Sequence, residues 1–537
     1  MKSRTLDKNP PDLAFGTFSR NAPWLIDPAG IPWLHGIDTL RDRTRQKVPQ
    51  MTRKRLLPPG SRVATITYQI GLASLKWYLT KRHDNRSASR RKLSRNMRVA
   101  FEHLGPTFIK LGQILSAGEG IFPQELVSEF SLCRDKVPAD SFQVVRDTIE
   151  SELGRTISDV FLSFDPIPLA AASIAQVHPA RLRTGEPVVV KVQRPYVKRL
   201  VNKDIAAMSW IAPLISGRIP VATLANLPAL IELFTETIVE ELDFRLEAAN
   251  MLDFANVLAR TGQDALVVAR PHPHLVTEKV LVMERLDGFE WGDVEGMRAA
   301  GVDTEEVLRA GLRAFLEGAI LYGVFHGDLH GGNLSVLPDG KVAVMDFGIT
   351  GRLDDSKRSA FIKLMVSALA NDAIGQVDAL KGLGALPPGT DSKKVATDLR
   401  LDQPPLDPTK MDVDQLAAEL KDITKALLSN GVKLPKELTL FIKDMIFLDQ
   451  AVSILAPDVD LIKEISELFA YFYERYGDQI ADDLGISPDD IPAIDAEGIK
   501  TSLMIADPVE KLTYNDLKAR REKLWSKIGG EDPSTPS

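Results

Sequence analysis

The sequence predicts an α+β protein of two lobes, in which a small β-rich half precedes a larger helical half. Strand patterns cover residues 159–195 and 274–288, where short apolar runs meet Gly and Pro turn signals. Helical periodicity dominates from residue 349 to about residue 476. Between the halves, residues 325–348 read FHGDLHGGNLSVLPDGKVAVMDFG and gather His, Asp and Asn around a predicted hairpin. This layout indicates a two-lobed nucleotide-binding enzyme.

Composition excludes several classes of protein. The net charge of −7 gives no general reason to expect nucleic-acid binding. The single cysteine, Cys133, excludes an internal disulfide framework and a cysteine-rich zinc or iron–sulfur site. The N-terminus lacks the apolar core of a signal peptide, and no window reaches the roughly 18 apolar residues of a membrane-spanning helix. We therefore expect a cytoplasmic protein.

Changes in composition divide the chain into five parts. We expect the following: an irregular N-terminal arm rich in Pro and Arg (residues 1–58), a basic helical segment with a helical extension (59–165), a β-rich lobe (166–288), a helix-rich lobe (289–476) and an acidic tail (477–537).

The predicted elements follow in order along these parts. Residues 90–103 have helical periodicity, and Gly105-Pro106 ends that helix. Residues 107–130 read as two helices around a Gly/Pro break. An apolar hairpin turns at Gly185 and Pro187. Residues 304–325 predict a buried helix that leads directly into the acidic loop.

The acidic loop has the spacing of a phosphoryl-transfer site. His326, Asp328 and Asn333 fit the pattern H-x-D-x-x-x-x-N, and Asp346-Phe347-Gly348 follows after a hairpin. Hard divalent cations prefer oxygen ligands, which carboxylates and an amide carbonyl supply. The ordered combination therefore predicts a metal–nucleotide site. The alternative is that Asp328 and Asn333 only cap a turn.

A cation is expected to meet the phosphates, and Lys191 lies in the apolar strand pattern VVVKV. A lysine in such a run is costly to bury unless it is paired. The segment EELDFRLEAAN offers acids at the spacing of one helical face: Glu240, Glu241, Asp243 and Glu247. An edge-strand lysine and a solvated acidic face remain the alternatives.

The loop before that strand lacks the G-x-G-x-x-G pattern. In its place, residues 169–178 read LAAASIAQVH. Small side chains still permit the backbone N–H groups to approach phosphate, although alanine restricts the backbone more than glycine does. A tightly packed core strand is the alternative interpretation.

Six motifs in order closely resemble the UbiB family of atypical protein-kinase-like proteins. They are KLGQ (110–113), AAASIAQVH (170–178), VVVKVQRP (188–195), EELDFRLEAAN (240–250), HGDLHGGN (326–333) and MDFG (345–348). The resemblance covers roughly residues 90–470. It implies a two-lobed protein-kinase-like fold, similar to that of aminoglycoside phosphotransferases, with an N-terminal K-x-G-Q extension and a helix-rich C-lobe.

The resemblance implies catalytic and metal roles for several residues. Lys191 would contact the α/β phosphates of ATP and pair with Glu241. Asp328 would be the catalytic-loop acid. Asn333 and Asp346 would hold Mg²⁺. The family loop usually reads D-P-H-P-G-N, whereas this chain has DLHGGN, with the ligand positions retained.

Further roles concern access to the nucleotide. Lys110 and Gln113 of the K-x-G-Q motif would point into the pocket, where Lys110 would meet Glu241 and Asp243, and Glu247 belongs to the same gating group. The alanine-rich loop would cover the phosphates, and the strand end MERL would be the hinge that receives adenine. The nucleotide-binding residues would then be Ala170, Ala171, Ala172, Ser173, Lys191, Met283, Glu284 and Leu286.

The resemblance also implies a function: ATP binding with Mg²⁺, and kinase or ATPase activity in isoprenoid-quinone or other membrane-lipid metabolism. The sequence has no A-P-E after its Asp-Phe-Gly, and Gly327 stands where protein kinases have Arg. A lipid, quinone or other small substrate therefore fits better than a peptide. A small-molecule or protein kinase proper, and a nucleotide-gated scaffold without catalysis, are the alternatives.

Residues 62–98 are strongly basic and flank the apolar run VATITYQIGLASLKWYL, which contains Trp77 and Tyr78. Such a composition is typical of a segment that lies on anionic lipid headgroups. It is equally consistent with a solvated helix packed on the body of the protein. The first interpretation predicts peripheral contact with the inner membrane surface.

Overall fold

The structure is a computed structural model that describes residues 30–53, 55–80, 86–116, 124–133, 137–215, 227–370, 372–401, 426, 429–432, 435–491, 512–516 and 518–519. Helices α1 (Ile37–Met51), α2 (Arg62–Thr80), α3 (Arg86–Leu104), α4 (Pro106–Ser116) and α5 (Gln124–Phe130) come first. They precede a β-rich lobe and a larger helical lobe. The predicted α+β fold class is therefore confirmed.

The prediction of an irregular N-terminal arm is wrong for residues 37–51, which form α1. Tertiary contacts outweigh the Pro- and Arg-rich composition here, since Val48 is buried and Arg41 donates to Asn250 Oδ1 at 3.3 Å. Ahead of α1, the Trp33 indole donates to the carbonyl of His272 at 3.2 Å and ties the arm to the β-rich lobe. Residues 1–29 lie outside the described residues.

The β-rich lobe is an antiparallel sheet in the order β1-β3-β4-β7-β6, with β2 paired to β3. Its strands are β1 (Phe161–Phe164), β2 (Ala170–Ala171), β3 (Ala175–Leu182), β4 (Pro187–Gln193), β6 (Pro271–Val276) and β7 (Val280–Glu284). Helices α6 (Phe142–Leu153) and α7 (Ile157–Val160) come before it, and Val145 and Ile149 of α6 share its core. The sheet thus begins before residue 166, where we expected the lobe to start.

In the part of the chain that the structure describes, three helices follow β4, and the last two frame the acidic motif. They are α8 (Val197–Ile215), α9 (Leu227–Glu240) and α10 (Phe244–Thr261). Asp243 is extended and caps α10 by accepting a hydrogen bond from the backbone N–H of Arg245. The acids therefore do not share one helix, and the face that we expected from their spacing does not exist. Glu240 ends α9, and Glu247 lies in the first turn of α10.

Among its described residues, the C-lobe carries two small sheets beside its helices. One has the order β5-β11-β10-β8 and the other pairs β12 with β9. The strands are β5 (Leu266–Val268), β8 (Phe289–Glu290), β9 (Val324–His326), β10 (Leu334–Val336), β11 (Val342–Val344) and β12 (Thr350–Arg352). Strands β10 and β11 form the predicted hairpin between the catalytic loop and the Asp-Phe-Gly. Their antiparallel pairing runs from Leu334 opposite Val344 to Val336 opposite Val342.

The C-lobe helices surround these sheets. They are α11 (Val294–Ala299), α12 (Thr304–Glu317), α13 (Asp355–Leu369), α14 (Ala373–Gly382), α15 (Ser392–Asp398), α16 (Lys436–Leu455) and α17 (Leu461–Leu484). The aromatic rings of Phe315, Phe325 and Phe441 pack at centroid distances of 5.3–5.8 Å, one pair stacked and two edge-to-face, and join α12, β9 and α16. This packing fixes α16 beside the catalytic loop. In the described part of the chain, no helix combines the length and apolar character needed to cross a membrane.

Candidate active site

Lys191 lies in the middle of β4, between Val177 of β3 and Leu281 of β7. Its ammonium is 2.7 Å from Glu247 Oε1 and 3.0 Å from Asp346 Oδ1. Lys191 and Glu247 are both buried. Lys191 is therefore a buried and paired lysine, and the alternative of an edge-strand lysine does not apply.

The pairing of Lys191 corrects one expectation. The resemblance implied Glu241 as its partner, but the structure places Glu247 there. Glu241 instead meets Lys110 of α4 at 3.1 Å, as expected for the K-x-G-Q lysine. Asp243 does not join them, because its carboxylate caps α10 and pairs with Arg245 at 2.7 Å. The break between α9 and α10 causes the exchange of roles.

The K-x-G-Q helix α4 reaches the catalytic loop as well. The Lys110 ammonium is 3.8 Å from Asp328 Oδ2, so it bridges Glu241 and Asp328. Gln113 is half-buried one turn further along. Between them, Gly112 lets the helix pack tightly, since a Cβ there would lie 2.9 Å from Cys133 Sγ.

The catalytic loop is held by its own side chains. His326 accepts a hydrogen bond at Nδ1 from the Asp328 backbone N–H (3.0 Å), so its Nε2 carries the proton and donates to the Met345 carbonyl (3.1 Å). Burial lowers the pKa of His326, which keeps this neutral form. Asn333 donates its amide N–H to the Asp328 carbonyl at 2.9 Å. These bonds fix both polar side chains relative to the hairpin.

Asp346 has a strained backbone, with φ at 55°, which L-residues rarely adopt. Its carboxylate also accepts a hydrogen bond from the Gly348 N–H at 3.3 Å. The following carbonyl, of Phe347, accepts from the buried Asn250 amide at 2.9 Å. The conformation therefore aims Asp346 at the cleft, where 48 % of its side chain remains exposed.

The alanine-rich loop is anchored from behind by Arg194. Its guanidinium donates to the Ala172 carbonyl at 3.2 Å, and its backbone N–H donates to the Ile174 carbonyl at 2.9 Å. It also pairs with Asp140 at 3.1 Å. Ala170 and Ala171 form the short strand β2, and Ser173 is buried beside them. The loop is thus a braced turn and not a continuous core strand.

The expected hinge lies at the end of β7. Met283 is buried and opposite Val189, and Glu284 is opposite Val188. The Glu284 carboxylate accepts a hydrogen bond from the Arg270 backbone N–H at 3.0 Å. Leu286 follows the strand and is half-buried. These residues connect the sheet to the C-lobe, as a hinge must.

Electrostatics keep the acids of the cleft in different protonation states. Burial opposes ionisation of Asp328, but Lys443 and Lys110 outweigh it and hold the pKa well below its usual range. Partial desolvation of Asp346 is likewise outweighed by Lys191 and Lys110, which bring its pKa to about 2. Burial raises the pKa of Glu247 to about 7 despite the Lys191 ammonium. Asp328 and Asp346 are therefore carboxylates at neutral pH.

The donor set fits Mg²⁺ bound together with a polyphosphate. No three His, Cys, Asp or Glu side chains within the described ranges form a metal-binding group. Mg²⁺ commonly takes only one or two protein ligands and completes its shell with phosphate and water oxygens. Asp346 offers an ionised and accessible carboxylate. The Asn333 amide nitrogen donates within the loop, which leaves its oxygen to serve as a ligand.

Three residues of this site were missed from sequence: Arg194, Lys443 and Asp444. Lys443 pairs with Asp328, and Asp444 accepts a hydrogen bond from the Leu329 N–H at 2.9 Å. A signal was present, because Lys443-Asp444 interrupts the apolar helical run LTLFIKDMIFL, where charges are costly unless paired. Nothing in the sequence indicated which partner they meet.

Comparisons with known proteins show which family the chain resembles. Residues 132–379 match the ABC1 atypical kinase-like domain. An uncharacterized protein of Mycobacterium tuberculosis is 32 % identical over 80 % of this chain and 88 % of its own length. A probable protein kinase UbiB of Aeromonas hydrophila is 30 % identical over 72 % of this chain and 70 % of its own. An uncharacterized aarF domain-containing protein kinase, chloroplastic, of Arabidopsis thaliana is 31 % identical over 68 % of this chain and 73 % of its own length.

Among solved structures, an M. tuberculosis protein in complex with erythromycin matches 64 % of this chain and 91 % of its own at 22 % identity and a TM-score of 0.37. The sequence relatives cover most of both chains, and the matched domain contains the lysine strand, the catalytic loop and the Asp-Phe-Gly. This chain belongs to the ABC1/UbiB family of atypical kinase-like proteins.

Proposed function

We propose that this chain is a Mg²⁺-dependent, ATP-binding atypical kinase or ATPase that supports isoprenoid-quinone or other membrane-lipid metabolism. The observation that carries the proposal is the buried Lys191, held between Glu247 at 2.7 Å and the Asp-Phe-Gly carboxylate of Asp346 at 3.0 Å. Burying Lys191 and Glu247 together, beside a third ionisable group, is costly, and such sets occur mainly where a ligand's charge is to be met. In kinases this trio places the phosphates of ATP.

Each part of the cleft has a task in this function. Lys191 contacts the α/β phosphates, and Glu247 holds its side chain in that direction. Backbone N–H groups of the braced loop at residues 170–173 approach the phosphates from above, with Arg194 fixing the loop from behind. Backbone groups of residues 283–286 receive the adenine edge. The ionised Asp328 orients the acceptor and takes its proton.

Asp346 and Asn333 are the residues that would hold Mg²⁺. Bound there, the ion would neutralise charge on the phosphate oxygens. The chain's own contribution is to keep Asp346 ionised through Lys191 and Lys110, and to orient Asn333 through its bond to the Asp328 carbonyl.

The position of Lys110 favours hydrolysis or a small acceptor over a peptide. Its ammonium bridges Glu241 and Asp328, so α4 lies across the catalytic acid. A peptide substrate would have to displace this helix, whose core-facing residues Phe108, Ile109 and Leu111 are buried. Water or a compact substrate needs no such displacement.

ATP turnover by the purified full chain with Mg²⁺, with and without anionic liposomes, tests this proposal. The matched control is Asp346→Asn, which keeps the size of the side chain and removes its charge. We expect turnover in the wild type, stimulation by lipid, and loss in the control. ATP labelled in its γ-phosphate separates ATPase from kinase activity, because hydrolysis releases the label as free phosphate and a kinase transfers it to an acceptor. ATP binding without turnover in every condition would instead favour a nucleotide-gated scaffold.

Contact with an anionic membrane is the second part of the proposal, and α2 supports it. One face of α2 packs inward through Val63, Ile66 and Ala73. The opposite face presents Tyr68, Leu75 and Leu79, spaced seven and four residues apart and 52–69 % exposed. An outward apolar stripe on α2, together with the exposed Arg90, Arg91 and Arg95 of α3, suits the headgroup region of a bilayer.

Trp77, which we expected at the membrane surface with Tyr78, has a different position. Its indole donates to the Ser89 carbonyl at 3.0 Å and joins α2 to α3. Tyr78 is 59 % exposed. The packed-helix interpretation therefore describes the inward face of α2, and the membrane contact is proposed for its outward face.

Flotation with vesicles of phosphatidylcholine and phosphatidylserine tests the membrane contact. We expect Leu75→Ser/Leu79→Ser to lower the bound fraction severalfold at low salt. The matched control is Leu162→Ser/Ile167→Ser, which changes two exposed apolar residues of the β-rich lobe. Equal binding by both double variants would count against α2 as the contact.

A further inference from the structure

Three consecutive residues of the catalytic loop face three residues on one side of α16. The pairs are Gly327 with Leu440, Asp328 with Lys443, and Leu329 with Asp444. Positions 440, 443 and 444 lie at i, i+3 and i+4, which is the spacing of a single helical face. Helix α16 therefore follows the catalytic loop residue by residue, although the two are more than 100 positions apart in sequence.

Gly327 makes this approach possible. A Cβ at this position would lie 2.9 Å from Leu440 Cδ1 and 3.1 Å from Ile349 Cγ2. Protein kinases carry an arginine at the equivalent place in H-R-D. Here the side chain is missing, and α16 fills the space. A cation still reaches the loop, but Lys443 of the helix supplies it.

Lys443 brings a second positive charge to one carboxylate. Lys110 lies 3.8 Å from Asp328 Oδ2, and Lys443 contacts Oδ1. The neighbouring Asp444 does not balance this charge, since burial raises its pKa well above the usual range and keeps it neutral. An ammonium has three donors, and the contact to Asp328 uses one of them. The remaining donors suit an anionic oxygen.

We propose that Lys443 is a catalytic residue that contacts the γ-phosphoryl group of bound ATP. The inference rests on the proposed function and assigns a new residue to that site. During hydrolysis, the oxygen of water forms a bond to the γ-phosphorus and the bond to the ADP oxygen breaks, with its electron pair left on ADP. The proton of the water passes to Asp328. Lys443 keeps its protons and balances the charge on the transferred group.

Asp444 is a positioning residue in this scheme. Its Oδ1 accepts the Leu329 N–H at 2.9 Å and fixes the register of α16 against the loop. As a neutral acid it does so without competing for the Lys443 ammonium. This register brings the Lys443 ammonium to the Asp328 carboxylate, whereas a shift of α16 by one turn would separate them.

The test compares Lys443→Met, which removes the charge and keeps the stem, with Lys443→Arg, which keeps the charge. The matched control is Lys463→Met on α17, where the lysine is solvent-facing and pairs with Glu467 at 3.6 Å. Turnover of MgATP and the affinities for MgATP and MgADP are measured on the full chain. We expect Lys443→Met to lower kcat by about 10²–10³-fold. Its preference for ATP over ADP should fall about tenfold, and Lys443→Arg should recover part of both.

Unchanged kcat and an unchanged ATP-to-ADP preference in Lys443→Met would overturn the inference. A rise in kcat would also overturn it, because Lys443 would then be restraining Asp328. If the wild type binds nucleotide without turnover, the ratio of the affinities for MgATP and MgADP decides whether Lys443 contacts the γ-phosphoryl group. A wild type that binds neither nucleotide refutes the proposed function and this inference together. Normal wild-type turnover with Lys443→Met matching Lys463→Met refutes the Lys443 role alone.

Discussion

Lys191 pairs with Glu247 and not with Glu241, and this difference can be measured. The perturbation is a double-mutant cycle that combines Lys191→Met with Glu247→Gln, beside a second cycle that combines it with Glu241→Gln. Both glutamates are buried, and both Gln variants keep the size of the side chain while removing the charge. The two cycles therefore differ only in which acid lies beside the lysine.

The distance sets the expected magnitude. Unit charges 2.7 Å apart attract by about 6 kcal/mol at an effective dielectric constant of about 20. Desolvation of both groups offsets much of this attraction. We therefore expect a coupling free energy of about 2–3 kcal/mol for Lys191 and Glu247, within the usual range for residues in contact. Lys191 and Glu241 form no ion pair in the part of the chain that the structure describes, so their coupling should stay near 0.5 kcal/mol.

The assay is urea-induced unfolding of each variant, followed by circular dichroism, at about pH 8.5, above the pKa of about 7 that burial gives Glu247, so that both members of the pair are charged. The free energies of unfolding of the wild type, the single variants and the double variants give both coupling energies. The same proteins are then titrated with MgATP. Both Lys191→Met and Glu247→Gln should weaken MgATP binding. The first variant removes the contact of the lysine with the phosphates, and the second removes the carboxylate that holds the lysine in position.

A larger coupling for Glu241 than for Glu247 would refute the assignment. It would mean that Lys191 pairs with the acid before α10 and that Lys110 has another partner. Equal couplings near zero would refute the buried pair itself.

Three further predictions concern stability. Gly351→Ala should destabilise the protein by about 1–3 kcal/mol in urea unfolding, because the new Cβ would lie 2.2 Å from the Phe325 ring; Gly311→Ala, on an open helix face, should not. Arg41→Ala should cost about 1–2 kcal/mol in the same assay, and no loss would mean that α1 does not dock. Asp444→Asn should be more stable than the wild type at pH 8, with the difference disappearing toward pH 4 in thermal unfolding. Since burial raises the folded-state pKa of Asp444, the wild type loses stability as pH rises, and a constant difference would contradict this assignment.

The parts of the site that are local in sequence could be predicted. His326, Asp328, Asn333 and Asp346 lie within one loop and one hairpin, whose geometry follows from their own turn residues and strand pattern. Lys191 was recognisable because a charge in an apolar strand needs a partner. The fold class followed from the order of the strand and helix patterns.

The remaining features depend on contacts between distant segments. Glu241, the partner of Lys191 that the resemblance implied, was wrong, because Asp243 caps a new helix and Glu247, in the first turn of that helix, reaches the lysine instead. The helix α1 was missed because contacts such as that of Arg41 with α10 stabilise it, and not its own composition. Lys443 could not be assigned, because its helix joins the catalytic loop only through tertiary packing.

The most direct test of the central claim is the Mg²⁺ dependence of ATP binding. Calorimetric titration of ATP into the full chain is carried out with Mg²⁺ and with EDTA, for the wild type and Asp346→Asn. Because Asp346 is ionised and accessible beside Lys191, the wild type should bind ATP much more tightly with Mg²⁺, and the variant should lose most of that gain. Equal affinity with Mg²⁺ and EDTA in both proteins, or no ATP binding at all, would contradict the account.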